Sequence, residues 1–352
     1  MKKVVLLLVL ALGSSMAFAA SFNKAELKQL QAFLSQTSEK GTTNAEELKI
    51  TNLSDPTTWE GVKTENGRVT EIKWKDKHLA GTLDLTGFTA LQTVDVSRNS
   101  LVGFTANGAV QMTDLNASHN KLAEIDVTNC PQLFNVSVNR NRLTNIELTN
   151  VPLLKNLNVS NNFFESLDMS NSSTLQTLNC QGNRLVNLNV DNCTALKNLY
   201  AGYNKLTSLT LSGVVNLANL NIDDNNISNM IVSNLPSLST FVASDNNMKT
   251  LGIRDCGVLL DLVCSYNDLT QLSITNCPKL QFVDCSYNDL TTLDLSNYTF
   301  LQRVLCNNNE LTTLDVSFDS SLTYINCRFN QIVDLRTMAC PNLSMVACQW
   351  NY

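Results

Sequence analysis

Residues 259–279 read LLDLVCSYNDLTQLSITNCPK, and residues 280–300 read LQFVDCSYNDLTTLDLSNYTF. The heptapeptide Cys-Ser-Tyr-Asn-Asp-Leu-Thr returns letter for letter after 21 residues, and the leucines around it keep step. Carrying that frame outward orders most of the chain. Row starts run from Leu91 through Met112, Leu133 and Leu154 to Leu343, giving twelve full rows and a thirteenth of ten residues, without an insertion. The fourth place is apolar in every row, and the eleventh, fourteenth and sixteenth nearly always are. The ninth is asparagine in all thirteen rows, from Asn99 to Asn351.

Twenty-one residues hold a short strand, a turn and an extended or 3₁₀ return, but no real helix. A strand over the third to seventh places points its fourth and sixth residues inward. One such coil cannot bury that face alone, whereas stacked coils make a continuous apolar column. The expected fold is a solenoid of stacked coils, with a curved parallel β-sheet on the concave side roughly 60 Å long at ~4.8 Å per strand. Asparagine at the ninth place answers a backbone problem: inward-turning peptide groups need a buried amide to donate to and accept from.

The rows read L-x-x-L-x-(C/V/A)-x-x-N-x-L, and over roughly 69–352 they resemble the leucine-rich repeat family, above all the cysteine-bearing 21-residue repeats of internalin-like bacterial surface proteins. Upstream, Trp59-Glu60-Gly61-Val62, Arg68–Ile72 and Leu79–Leu83 are similar to the amino-terminal cap and first repeat of plant-type members, without their cysteine pair. The resemblance implies a non-catalytic binding protein whose ligands are host or neighbouring-cell protein surfaces.

All eleven cysteines stand at two places. Cys180, Cys264, Cys285, Cys306, Cys327 and Cys348 hold the sixth; Cys130, Cys193, Cys256, Cys277 and Cys340 hold the nineteenth. Elsewhere those places mostly hold Val, Ala, Leu or Ile, so cysteine reads as a small core hydrophobe. Rungs ~4.8 Å apart with parallel Cβ vectors do not suit a disulfide, and zinc wants C-x₂-C pairs or histidines. Only His78 and His119 exist.

Residues 1–20 form a signal peptide pattern: Lys2 and Lys3, an apolar run from Val4 to Leu12, then Ala17-Phe18-Ala19. No stretch is long enough for a membrane-spanning helix. Without Lys2 and Lys3 the formal charge moves from −6 to −8, which disfavours nucleic acid and anionic membranes. Residues 21–68 form a cap with a helix opened by Asn23 and Glu26, a second opened by Asn44 and Glu47, and a hairpin turned by Asn66-Gly67 between Val62–Glu65 and Arg68–Trp74. The first coil, 69–90, carries Lys77 at the asparagine place; full repeats follow over 91–342 and a partial one over 343–352. At that end, Trp350 and Tyr352 either fold over an open edge or leave it for docking, unless the sequence is a fragment.

No glycine-rich phosphate loop or H-E-x-x-H occurs, and no serine or cysteine has a histidine at a plausible partner position except His119, whose neighbours in the stack are Arg98 and Arg140. No catalytic residues, cofactor or metal are therefore expected. The outward third, fifth, seventh and eighth places change character along the chain. Early rows carry Asn116, Ser137, Asn156, Asn158 and Asn179; later rows carry Tyr200, Tyr203, Val242, Val263, Tyr266, Phe282, Tyr287, Leu305, Tyr324, Phe329 and Trp350. Those eleven form the expected contact patch. The rim of eighth and tenth places is basic early (Arg98, Lys121, Arg140, Arg142, Arg184, Lys205) and acidic late (Asp224, Asp245, Asp268, Asp289, Glu310). A protein partner fits this best; a glycan stacking on the rings, or a self-assembling spacer, remain the alternatives. Calcium on the acidic column would need oxygens from elsewhere.

Overall fold

The computed structural model describes residues 22–296 and 298–351, so the leader expected over 1–20 and Tyr352 lie outside the described residues. Asn23 accepts from the amides of Ala25 and Glu26 and opens helix α1, Lys24–Leu34, which buries Leu30, Phe33 and Leu34. The Phe33 ring stacks on Trp74 with centroids 5.9 Å apart. Glu26 is buried, and its carboxylate takes the Arg68 guanidinium at 2.6 Å and the Val69 amide at 3.0 Å. The cap is thereby fastened to the first coil.

Helix α2, Asn44–Glu47, starts one residue differently from expectation. Thr43 is its cap and Glu46 closes the capping box. Asn44 is drawn inward instead: its amide donates to the carbonyls of Phe33 and Ala80 and accepts the Ala80 amide. Strands β1, Val62–Glu65, and β2, Arg68–Lys73, pair antiparallel around Asn66 (φ 51) and Gly67 (φ 74), both left-handed as a type I′ turn demands.

β2 leads into a curved, fifteen-stranded sheet whose remaining pairs are parallel. Partners from Thr93 onward differ by 21 residues, as in Leu178 with Leu199 and Leu262 with Val283. Each strand covers only the third to fifth places, as Thr93–Asp95 does, and not five residues as expected. The stop is independent of the fifth residue, since coils with Tyr200, Val242, Val263 or Leu305 there end their strands at the same place, but a polar fifth residue caps the turn that follows. Asp95, Asn116, Asn158 and Asp284 accept the amides of Ser97, Ser118, Ser160 and Ser286 at 3.0–3.2 Å. Such an Asx turn holds the chain as it leaves the sheet. The serines of those four coils are buried, as are Ser244 and Ser265, whereas Asn139, Gln181, Asp223, Asn307 and Arg328 are half-buried and Gln349 is exposed. The outward direction expected of the seventh place thus holds only in part. The eighth residue then passes through the left-handed region in all thirteen rows, with φ between 49 and 65.

The ninth asparagine stitches coil to coil. Its side-chain oxygen accepts the eleventh-place amide of the preceding coil in every row. Its nitrogen donates to sixth-place carbonyls of its own coil and the one before, as Asn225 does to Ile222 and Ala201 at 3.1 Å. The return arm is extended, not 3₁₀: four small parallel sheets cover the convex side, and among the described residues the one 3₁₀ segment, Pro56–Thr58, lies in the cap.

Between the two walls runs one apolar column. Nine of the eleven cysteines are buried in it as free thiols, while Cys340 is half-buried and Cys348 exposed. Burial pushes the Cys180 and Cys285 thiols up to about 12. Cys348 sits in the last row, with a coil on one side only, which explains why it departs from the inward packing expected of its place.

Candidate binding face and rim

The left-handed turn at the eighth place divides the outward residues into two surfaces. Third- and fifth-place side chains line the concave floor between strands, so Tyr200, Val242, Val263, Phe282, Leu305 and Tyr324 are half-buried by neighbours one coil away. Eighth-place side chains stand on the left-handed turn and project from the rim. Tyr203, Tyr266, Tyr287, Phe329 and Trp350 are 59%, 51%, 42%, 48% and 71% exposed. The eleven residues therefore form a floor and a ridge along one side of it, not a single patch.

The floor residues interrupt the turn chemistry around them. Tyr200, Val242, Val263 and Leu305 occupy fifth places where other coils keep a capping Asp or Asn. Ser244 and Ser265, left without that cap, hydrogen-bond each other at 3.0 Å. Asparagine or aspartate at these positions would supply the seventh-place cap that the apolar side chains forgo. Arg303, a charged residue outside the eleven expected contacts, lies between the Phe282 and Tyr324 rings at 5.4 and 5.6 Å. Its third place, one coil from each ring, is the signal that would have found it.

On the ridge, equal spacing brings like residues into contact. The Tyr266 and Tyr287 rings stack with centroids 4.3 Å apart and planes 9° from parallel; Phe329 and Trp350 stack at 5.7 Å and 6°. Desolvation and the Tyr287 hydroxyl hold the Tyr266 phenol above its ordinary range. Trp350 thus lies against its ridge neighbour and does not fold over the end of the column. Beside the rings, Asp224, Asp245, Asp268, Asp289 and Glu310 are exposed. Among the described residues, none of these five carboxylates has an ion pair or a side-chain hydrogen bond.

The early coils differ. A recess of 440 Å³ opens in the floor there, lined by Thr93, Asp114, Asn135, Asn156, Asn179 and Tyr200 among others. Its amides form a ladder, Asn135 donating to Asp114 at 2.6 Å and Asn156 to Asn135 at 2.7 Å. On the early rim, Lys121 pairs with Glu39 of the cap at 3.4 Å, and Arg184 lies over the Phe163 ring at 4.5 Å. Burial, then Arg140 and Arg98, lower the His119 imidazole below its ordinary value.

His119 has two cations for neighbours, and the other histidine, His78, lies 3.7 Å from the Glu39 carboxylate of the cap. No group of three or more metal-ligating side chains exists among the described residues. No described helix is long and apolar enough to cross a membrane.

Known structures share the fold. A leucine-rich repeat protein of Leptospira interrogans matches with a TM-score of 0.56 over 80% of this chain and 84% of its own, at 18% identity. The leucine-rich effector YopM of Yersinia pestis matches with a TM-score of 0.51 over 76% and 88%, also at 18% identity. The functional domain of InlJ from Listeria monocytogenes is 23% identical over 74% of this chain and 68% of its own, with a TM-score of 0.45. The first two matches show a leucine-rich repeat fold and leave the ligand open. No family model matches the chain, and no curated protein sequence does.

Proposed function

We infer that this is an exported, non-catalytic leucine-rich repeat protein that holds a protein partner on the concave floor and ridge of its carboxy-terminal half. One observation carries the reading: from Tyr200 onward, apolar and aromatic side chains stand where the turns themselves favour Asp, Asn or Gly. Residues kept against local stability at an exposed face serve contacts outside the fold. Export rests on the leader pattern of residues 1–20, and an adhesion or recognition role on the resemblance to surface repeat proteins.

Replacing Tyr266, Tyr287 and Phe329 together with serine tests this. Binding to surface-protein fractions should fall at least tenfold while the circular dichroism spectrum and melting curve persist. Undiminished capture by the triple variant would sink the reading. A glycan ligand is the second reading, favoured by the amide-lined recess that ends at Tyr200. Binding on a glycan array that disappears with Tyr200→Ala would establish it in place of the first.

A further inference from the structure

Among the described residues, the chain turns through the left-handed region at the eighth place of all thirteen rows and at the eighteenth place of eleven. At the eighteenth, nine of the eleven described residues are Gly, Asn or Asp, the types that tolerate this conformation. At the eighth, only five of thirteen are, and Tyr203, Tyr266, Tyr287, Phe329 and Trp350 take the turn despite their bulk. Such residues in the left-handed region cost roughly 1–2 kcal/mol each. Their rings remain outside the core, so packing does not explain their choice.

The carboxylates beside them have no explanation in turn chemistry either. Early coils place Arg98, Lys121 and Arg142 at the same eighth and tenth places, so the turn requires neither sign. We propose that the ridge from Tyr203 to Trp350 docks an extended, lysine- or arginine-rich polypeptide segment. The inference rests on the protein-binding reading above and names the chemistry of the partner. Asp224, Asp245, Asp268, Asp289 and Glu310 receive its cations, and the ring edges receive its methylene stems. Seven coil steps make the ridge about 34 Å long, which about ten residues of extended chain span. A sugar suits the ridge less well, because the Tyr266 and Tyr287 faces already lie 4.3 Å apart against each other.

The test uses the chain from residue 21 and a fluorescent decapeptide of alternating lysine and serine, with an alternating glutamate–serine decapeptide and cellohexaose as comparison probes. Fluorescence anisotropy should show binding of the lysine peptide alone, weakening as salt rises from 50 to 300 mM, concentrations at roughly which the Debye length falls below 10 Å. Asp268→Asn with Asp289→Asn should weaken it about tenfold, and so should Tyr266→Asn with Tyr287→Asn. The variant Glu124→Gln with Glu165→Gln makes the same charge change on the convex side and should leave binding within about twofold.

An absent lysine-peptide signal, equal loss in the Glu124/Glu165 variant, or cellohexaose bound at the ridge would each overturn the proposal. If the serine triple variant loses surface-protein capture while the lysine peptide never binds, the basic segment is wrong and the protein-binding reading stands. If capture survives that triple variant, the broader reading falls first.

Discussion

Asn225→Ala is the sharpest test of how the coils are joined. The side chain is 6% exposed and makes four hydrogen bonds, three donated and one accepted. The carbonyls it reaches are not left bare by its loss. Ala201 still receives Asn204, Ile222 still receives Asn246, and Asp223 still receives the Tyr203 amide. The Leu206 amide is different, because the Asn225 oxygen at 2.9 Å is its partner and Leu206 is fully buried. An orphaned buried donor costs roughly 1–3 kcal/mol, and thinning three shared acceptors adds to it. We expect a loss of about 3 kcal/mol in urea unfolding, together with hydrogen exchange at the Leu206 amide that rises much more than at Leu185, whose partner is Asn204. Asn225→Asp should be worse, since it sets a carboxylate against the same carbonyls. A variant within 0.5 kcal/mol of wild type, an allowance of roughly the surface-substitution scale, with Leu206 still protected, would refute the ladder as the joint between coils.

Asp319 stands at a nineteenth place, 4% exposed, with one side-chain oxygen lacking any partner. Burial pushes its carboxyl from 3.8 up to about 6. The folded chain therefore holds this proton to higher pH than the unfolded chain does, and stability falls as pH rises from about 4 through 6, by up to about 3 kcal/mol. Asp319→Val should abolish that slope and stabilise the protein at pH 7; equal slopes in both proteins would rule the effect out. Iodoacetamide on the native chain should label Cys348 first and the half-buried Cys340 next, leaving the nine buried thiols for denaturant to expose. Peptide mass mapping that finds Cys180 or Cys285 labelled early would contradict the packed column.

The repeat, the inward column and the asparagine seam were legible because each is written thirteen times, and periodicity converts sequence position into direction. Features made by a single turn or hydrogen bond were less visible. The strand stops after three residues in all thirteen rows, and the chain then turns left-handed at the eighth place. No hydropathy pattern contains that turn, which draws the seventh-place serines inward. Asn44 could not be recognised as a buried stitch because its partners, Phe33 and Ala80, lie on different elements. On the candidate face, the rings stood out by type, whereas Arg303 was hidden by its charge, although it lies between two of them. The division into floor and ridge needed the left-handed turn, a backbone property that tyrosine and tryptophan do not advertise.

The seam between coils also bears on how such a chain changes length. Every coil offers the next the same amide and the same carbonyl, so the joint does not record which two coils it unites. Excising 217–237 would bring Asn246 to the Leu206 amide and the Ala201 carbonyl that Asn225 now serves. Recombination in multiples of 21 codons would thus shorten or extend the molecule without creating a faulty junction, while sliding the acidic ridge nearer to or farther from the cap.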